Sequence, residues 1–78
     1  IRIPDDKVFG FASDTNTFIS RPAADTFAFT NGGTEKVRID SSGRMMIGNT
    51  AAGQMYSGAD NLVIGNTSGE NGITIISQ

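Results

Sequence analysis

The sequence has no cysteine, no histidine and no tryptophan, and only two prolines in 78 residues. Without cysteine it can form neither a disulfide nor a thiolate metal site. Without histidine it lacks the commonest neutral metal ligand and the usual general base at neutral pH. No apolar run approaches the roughly 20 residues of a membrane-spanning helix, so no membrane insertion is expected, and no signal peptide is visible. Charge of either sign is scarce: charged residues make up 18% of the chain and the net charge is −2. A nucleic-acid partner is therefore not expected, because a phosphate binder normally carries a basic patch. The first residue is Ile1 and not Met, which reads as a piece of a longer chain, with residues 1–78 forming one segment.

A domain of this size buries only about 60% of the surface its unfolded chain exposes and is marginal unless stapled or multimerised. With disulfide and metal staples excluded, oligomerisation or continuation into a longer chain is the expected source of stability. Ten glycines accompany abundant Asn, Ser and Thr, while hydrophobic residues reach 37%. That composition suits short strands and tight turns; a helical bundle would carry more Ala, Leu, Glu and Lys. Low net charge and five recurring Phe argue against disorder.

No stretch of ten residues places apolar side chains at helical spacing; short alternating runs separated by turn residues appear instead. Lys7 to Phe11 reads as a strand with Phe9 and Phe11 on one face. Thr17 to Arg21 is a second, stopped by Pro22, which cannot donate to a ladder. Thr26 to Thr30 puts Phe27 and Phe29 on one face and Thr26, Ala28 and Thr30 on the other. Asn31, Gly32 and Gly33 tolerate the positive φ of a hairpin turn, and Glu35 to Ile39 returns with Val37 and Ile39 inward and Lys36 and Arg38 outward. Asp40 to Gly43 forms the next turn, Asp40 capping backbone amides and Gly43 supplying a left-handed residue.

Further strands are expected over Arg44 to Ile47, Asn61 to Ile64 and Gly72 to Ile76, the last with Ile73 and Ile75 sharing a face; Ala51 to Asp60 reads as a surface loop. Met45 and Met46 are adjacent and must point to opposite faces, so one is core and the other exposed or turned toward a neighbouring subunit. The run Ile47-Gly48-Asn49-Thr50 recurs as Ile64-Gly65-Asn66-Thr67. This echo, with strands of about five residues and regular turns, points to a repetitive β architecture.

Strands this short expose edges and bury little, and no helix is available to cover the apolar face of such a meander. Further copies of the chain could cover it. Leaving four large apolar side chains wet, at about 1.5–3 kcal/mol each, forfeits a good share of a typical stability of roughly 5–15 kcal/mol. The physics calls for an oligomer and leaves its stoichiometry open. The expected inter-subunit core is Phe27, Phe29, Val37, Ile39, Ile47, Ile64, Ile73 and Ile75, with Thr26, Ala28, Thr30, Lys36 and Arg38 facing water.

The run Thr34-Glu35-Lys36-Val37-Arg38-Ile39-Asp40-Ser41-Ser42-Gly43-Arg44-Met45-Met46-Ile47-Gly48 resembles a unit repeated along the shafts of bacteriophage tail-fibre proteins. Arg21 to Phe27, Asp60 to Gly65 and Gly72 to Ile75 match the family's style, so the resemblance spans roughly Asp14 to Ile76. It implies an all-β fibre segment, an intertwined homotrimeric β-helix or β-prism, in a virion, alongside other tail proteins and with a host-surface glycan as a possible contact. The self-cleaving chaperone domain found downstream in such proteins, with its Ser–Lys dyad, has no counterpart in this sequence.

Chemistry finds little support. Paired carboxylates could hydrolyse a polysaccharide if held about 5–10 Å apart, and eight acids are present: Asp5, Asp6, Asp14, Asp25, Asp40, Asp60, Glu35 and Glu70. Nearly all flank turns or strand ends, so no enzymatic activity is expected. No EF-hand or Gly-Gly-x-Gly-x-Asp spacing marks a calcium site, and Asn31-Gly32-Gly33-Thr34 lacks the ending of a phosphate loop. No cofactor is expected. Lys36 and Arg38 could meet anionic sugars, and Tyr56 and Met55 could stack on one, but solubilising and subunit-packing roles account for them more simply. The reading from sequence is a structural segment of a trimeric fibre that supports attachment, with a glycan-binding module as the alternative.

Overall fold

In the computed structural model the chain is all-β, one open six-stranded sheet, with no helix among the described residues, which are 1–48, 58 and 61–78. The strands are β1 (Phe9–Phe11), β2 (Asp14–Ser20), β3 (Phe27–Asn31), β4 (Thr34–Ile39), β5 (Met45–Ile47) and β6 (Leu62–Ile64), and they neighbour one another in chain order. β1 to β5 form an antiparallel meander; β6 pairs parallel to β5. Parallel neighbours need a connection of about a dozen residues or more, which the stretch between Ile47 and Leu62 supplies. The surface-loop expectation for 51–60, with Met55 and Tyr56, lies outside the described residues apart from Gly58.

Local chemistry accounts for the hairpins. Between β3 and β4 the two-residue loop Gly32-Gly33 has φ of 59° and 81°, the positive pair that keeps the twist of the flanking strands continuous. Its Gly33 amide donates to the carbonyl of Asn16 at 2.9 Å, tying the loop to β2. At the β4–β5 turn, one carboxylate oxygen of Asp40 accepts from the amides of Ser42 and Arg44, both at 3.0 Å. The Gly43 amide donates to the Asp40 carbonyl at 2.9 Å, and Gly43 has φ of 81°, the left-handed conformation its place in the turn requires. Asp25, at the turn into β3, has φ of 56°, a conformation Asp tolerates better than most residues.

The echo in the sequence becomes a register. Met45, Met46 and Ile47 stand opposite Leu62, Val63 and Ile64, and the Gly65 amide donates to the Ile47 carbonyl at 2.7 Å. The side-chain amide of Asn66 donates to the Gly48 carbonyl at 3.2 Å. A Cβ on Gly48 would lie 3.7 Å from the Cα of Gly65, so the two glycines of the repeated run stack on each other.

One expected strand does not form. Residues 72–78 have no regular structure and are exposed, because the preceding turn is closed on itself. The Asn71 side-chain oxygen accepts from the Asn66 amide at 3.3 Å, and its nitrogen donates to the carbonyls of Asn66 and Ser68 at 3.2 and 3.3 Å. That side chain also crowds Gly65: an ideal Cβ there would sit 2.6 Å from the Cβ of Asn71. The chain therefore leaves β6 at Asn71 instead of returning along it.

A candidate interaction surface

The pairing registers line up the apolar residues of alternate positions into cross-strand rows. One row crosses all six strands: Phe9, Ile19, Phe29, Val37, Ile47 and Ile64, each directly opposite the next. A second, Phe27, Ile39, Met45 and Leu62, runs beside it across β3 to β6. Directly opposed side chains in a sheet touch, so each row is a continuous apolar ridge. The expected core residues of the strands, Phe27, Phe29, Val37, Ile39, Ile47 and Ile64, thus lie on one face.

Within one chain much of that face stays exposed. Phe27 is 61% exposed and Phe29 36%, and Phe9, Met45, Ile47 and Leu62 are exposed as well. Val37, Ile39 and Ile64 are half-buried by their neighbours. Ile73 and Ile75 lie off the sheet in the exposed tail.

The opposite face is where the single chain buries its side chains, contrary to the expectation that Thr26, Ala28, Thr30 and Arg38 face water. Ala28 is fully buried, Thr26 and Thr30 are buried, and Met46 is 1% exposed. Arg38 is half-buried, while Lys36 is exposed as expected. Geometry explains the difference. Ala28 stands between Ser20 and Arg38, Thr30 between Phe18 and Glu35, and Arg38 also faces Met46. Long side chains such as Phe18, Glu35 and Arg38 lay their stems over small cross-strand neighbours. Arg38 is held by a two-pronged ion pair to Glu35, both contacts 2.7 Å. This hydrogen-bonded pairing is the leading reason its pKa rises above the ordinary guanidinium value. A β-bulge at Phe29/Thr30 makes the pair possible: Phe29 opposes Val37 but Thr30 opposes Glu35, which leaves Lys36 as the extra residue. The adjacent methionines divide as expected, Met46 buried and Met45 exposed. The burial of Ala28 and Thr30 was not legible, because hydrophobicity ranks them below their Phe neighbours.

At the β1 end of the apolar face, the N-terminal residues fold over to form a half-open groove of about 390 Å³ lined chiefly by Ile3, Pro4, Phe9, Ile19, Phe27 and Phe29. Phe9 also meets Phe11 edge-to-face, with ring centroids 6.4 Å apart. At the rim Arg21 pairs with Asp5 at 3.2 Å, both exposed. No group of three or more Asp or Glu among the described residues is placed to hold a metal ion. The acids with defined surroundings serve structure. Glu35 binds Arg38. Asp40 builds its turn, and the amide of Arg44 donating to its carboxylate leads in holding its pKa below the usual value. No family model, no curated protein and no solved structure matches this chain.

Proposed function

We propose that this chain is a structural segment of a homotrimeric bacteriophage tail fibre, supporting a receptor-binding element carried elsewhere in the virion. The observation that carries the reading is the pair of largely exposed apolar rows, one crossing β1 to β6 and the other β3 to β6. A contiguous apolar surface of this breadth marks an interaction site on a protein that persists in water. Rows on a gently twisted sheet suit repetition about an axis, each copy turning its ridge toward the others. The resemblance of Thr34 to Gly48 to fibre-shaft units supplies the viral context and the threefold symmetry.

Mass in solution tests this directly. Light scattering on the eluting chain, at several concentrations, is expected to return three times the chain mass, with a melting temperature that rises with concentration. A compact monomer that melts cooperatively would exclude the reading.

The exposed Phe9, Phe11, Phe27 and Phe29 favour a second reading, a module that stacks host glycans on aromatic rings. Against it, Ile19 stands between Phe9 and Phe29 in the first row and the second row holds a single ring, and sugar hydroxyls need hydrogen-bonding partners beside the stacking surface. Saturable binding on a glycan array, lost in Phe27→Ala without change of mass, would favour it over the fibre segment.

A further inference from the structure

We propose that the tail of one copy, Gly72 to Ile76, docks as an added strand on the β1 edge of a second copy and seats Ile73 and Ile75 in the groove beside it. This rests on the oligomeric reading above and specifies how the copies engage. The tail has the pattern of a half-buried strand: Ile73 and Ile75 fall on one side and Thr74 on the other, without proline. Yet it forms no strand in its own chain, and Ile73 and Ile75 stand 66% and 89% exposed. β1 has a strand neighbour on one side only, β2. Its other edge has no strand partner among the described residues, and Phe9 of β1 lines the apolar groove together with Ile3 and Pro4. A strand added to an edge gains main-chain hydrogen bonds, while pockets for alternate side chains set its register.

The donor has to be another copy. β1 and β6 are the opposite edges of a six-stranded sheet, which at about 4.8 Å between strands places them roughly 24 Å apart. Asn71 is tied to the β6 turn through Asn66 and Ser68. From there Ile73 lies two residues on, a reach of about 7 Å. Beside the nearer edge, β6 itself, the tail remains unpaired in its own chain. Tail-to-β1 pairing is head-to-tail, so it closes a ring when the rotation between copies closes. In such a ring each copy both gives a tail and receives one, and the sheets join edge to edge with their apolar faces turned to the axis.

The test compares the full chain with the double variant Ile73→Lys/Ile75→Lys by light scattering at equal concentration, with far-UV circular dichroism as the check on fold. Both residues are exposed in the isolated chain, so the variant is expected to keep its sheet and fall to the mass of one chain. If the unmodified chain assembles and the variant assembles equally well, the docking is wrong while the oligomeric reading stands. If the unmodified chain is itself a monomer, both fail. A second measurement does not depend on charge. Chains carrying only Val8→Cys and chains carrying only Thr74→Cys are refolded together and oxidised. Because the natural sequence has no cysteine, any mixed disulfide joins two copies. With the two variants in equal amounts, a mixed dimer well above the half of all dimers that random pairing yields supports the docking, and a statistical mixture overturns it.

Discussion

The two faces of the sheet bury side chains by different means. On one, Ala28, Thr30 and Met46 are buried within the chain itself, with Phe18, Glu35 and Arg38 among their cross-strand neighbours. On the other, the larger and more apolar Phe27, Phe29 and Ile47 stay exposed, since a ridge of large side chains can be covered only by a second layer. Burial within the single chain thus does not follow hydrophobicity: Ala28 and Thr30 are buried while Phe27 is 61% exposed. The face with the greater apolar content is left for association.

Paired core truncations break this comparison most strongly. Met46→Ala empties a site enclosed by the chain itself and is expected to cost about 2–5 kcal/mol in urea unfolding at any protein concentration. Phe29→Ala is expected to reach about 3–5 kcal/mol per chain only where copies cover the face, and to fall below Met46→Ala at concentrations where the chain is monomeric. Equal concentration dependence for the two variants would show that the faces are not distinct in this way. A smaller effect is expected at the turn leading into the Met45–Met46 strand. Gly43→Val forces a β-branched residue to adopt φ of 81°, with a cost above roughly 1 kcal/mol per chain. Because open space surrounds that position, the cost is conformational, and Gly43→Asn is expected to recover part of it.

The smallest effect is a pH dependence from the same turn. The folded chain depresses the Asp40 pKa, chiefly through the amide of Arg44, so the unfolded chain takes up that proton more readily. The contribution is therefore fully present above the ordinary carboxylate value of about 4 and is lost as pH falls through the folded value. Urea midpoints of the native chain and Asp40→Asn are expected to differ at pH 7 and converge toward pH 2. A gap independent of pH would mean that the carboxylate charge contributes nothing to the turn.

Much of the local structure was legible along the chain. Alternation over Thr26 to Ile39, interrupted by Asn31-Gly32-Gly33, specified the β3–β4 hairpin because strand parity and positive-φ turn residues are properties of a few adjacent residues. Asp40 and Gly43 specified their turn for the same reason, and Ile47-Gly48 with Ile64-Gly65 foretold a repeat that the fold sets in register. Residues 72–78 form no strand in the single chain, although Ile73 and Ile75 have the parity for one, because pairing also needs a partner edge within reach. Only the tertiary arrangement decided which face is buried. Parity sorts Phe29 from Ala28 but is blind to what lies above either of them. That depends on the neighbouring strands, on the bulge that brings Glu35 to Arg38, and on whether a second layer is present.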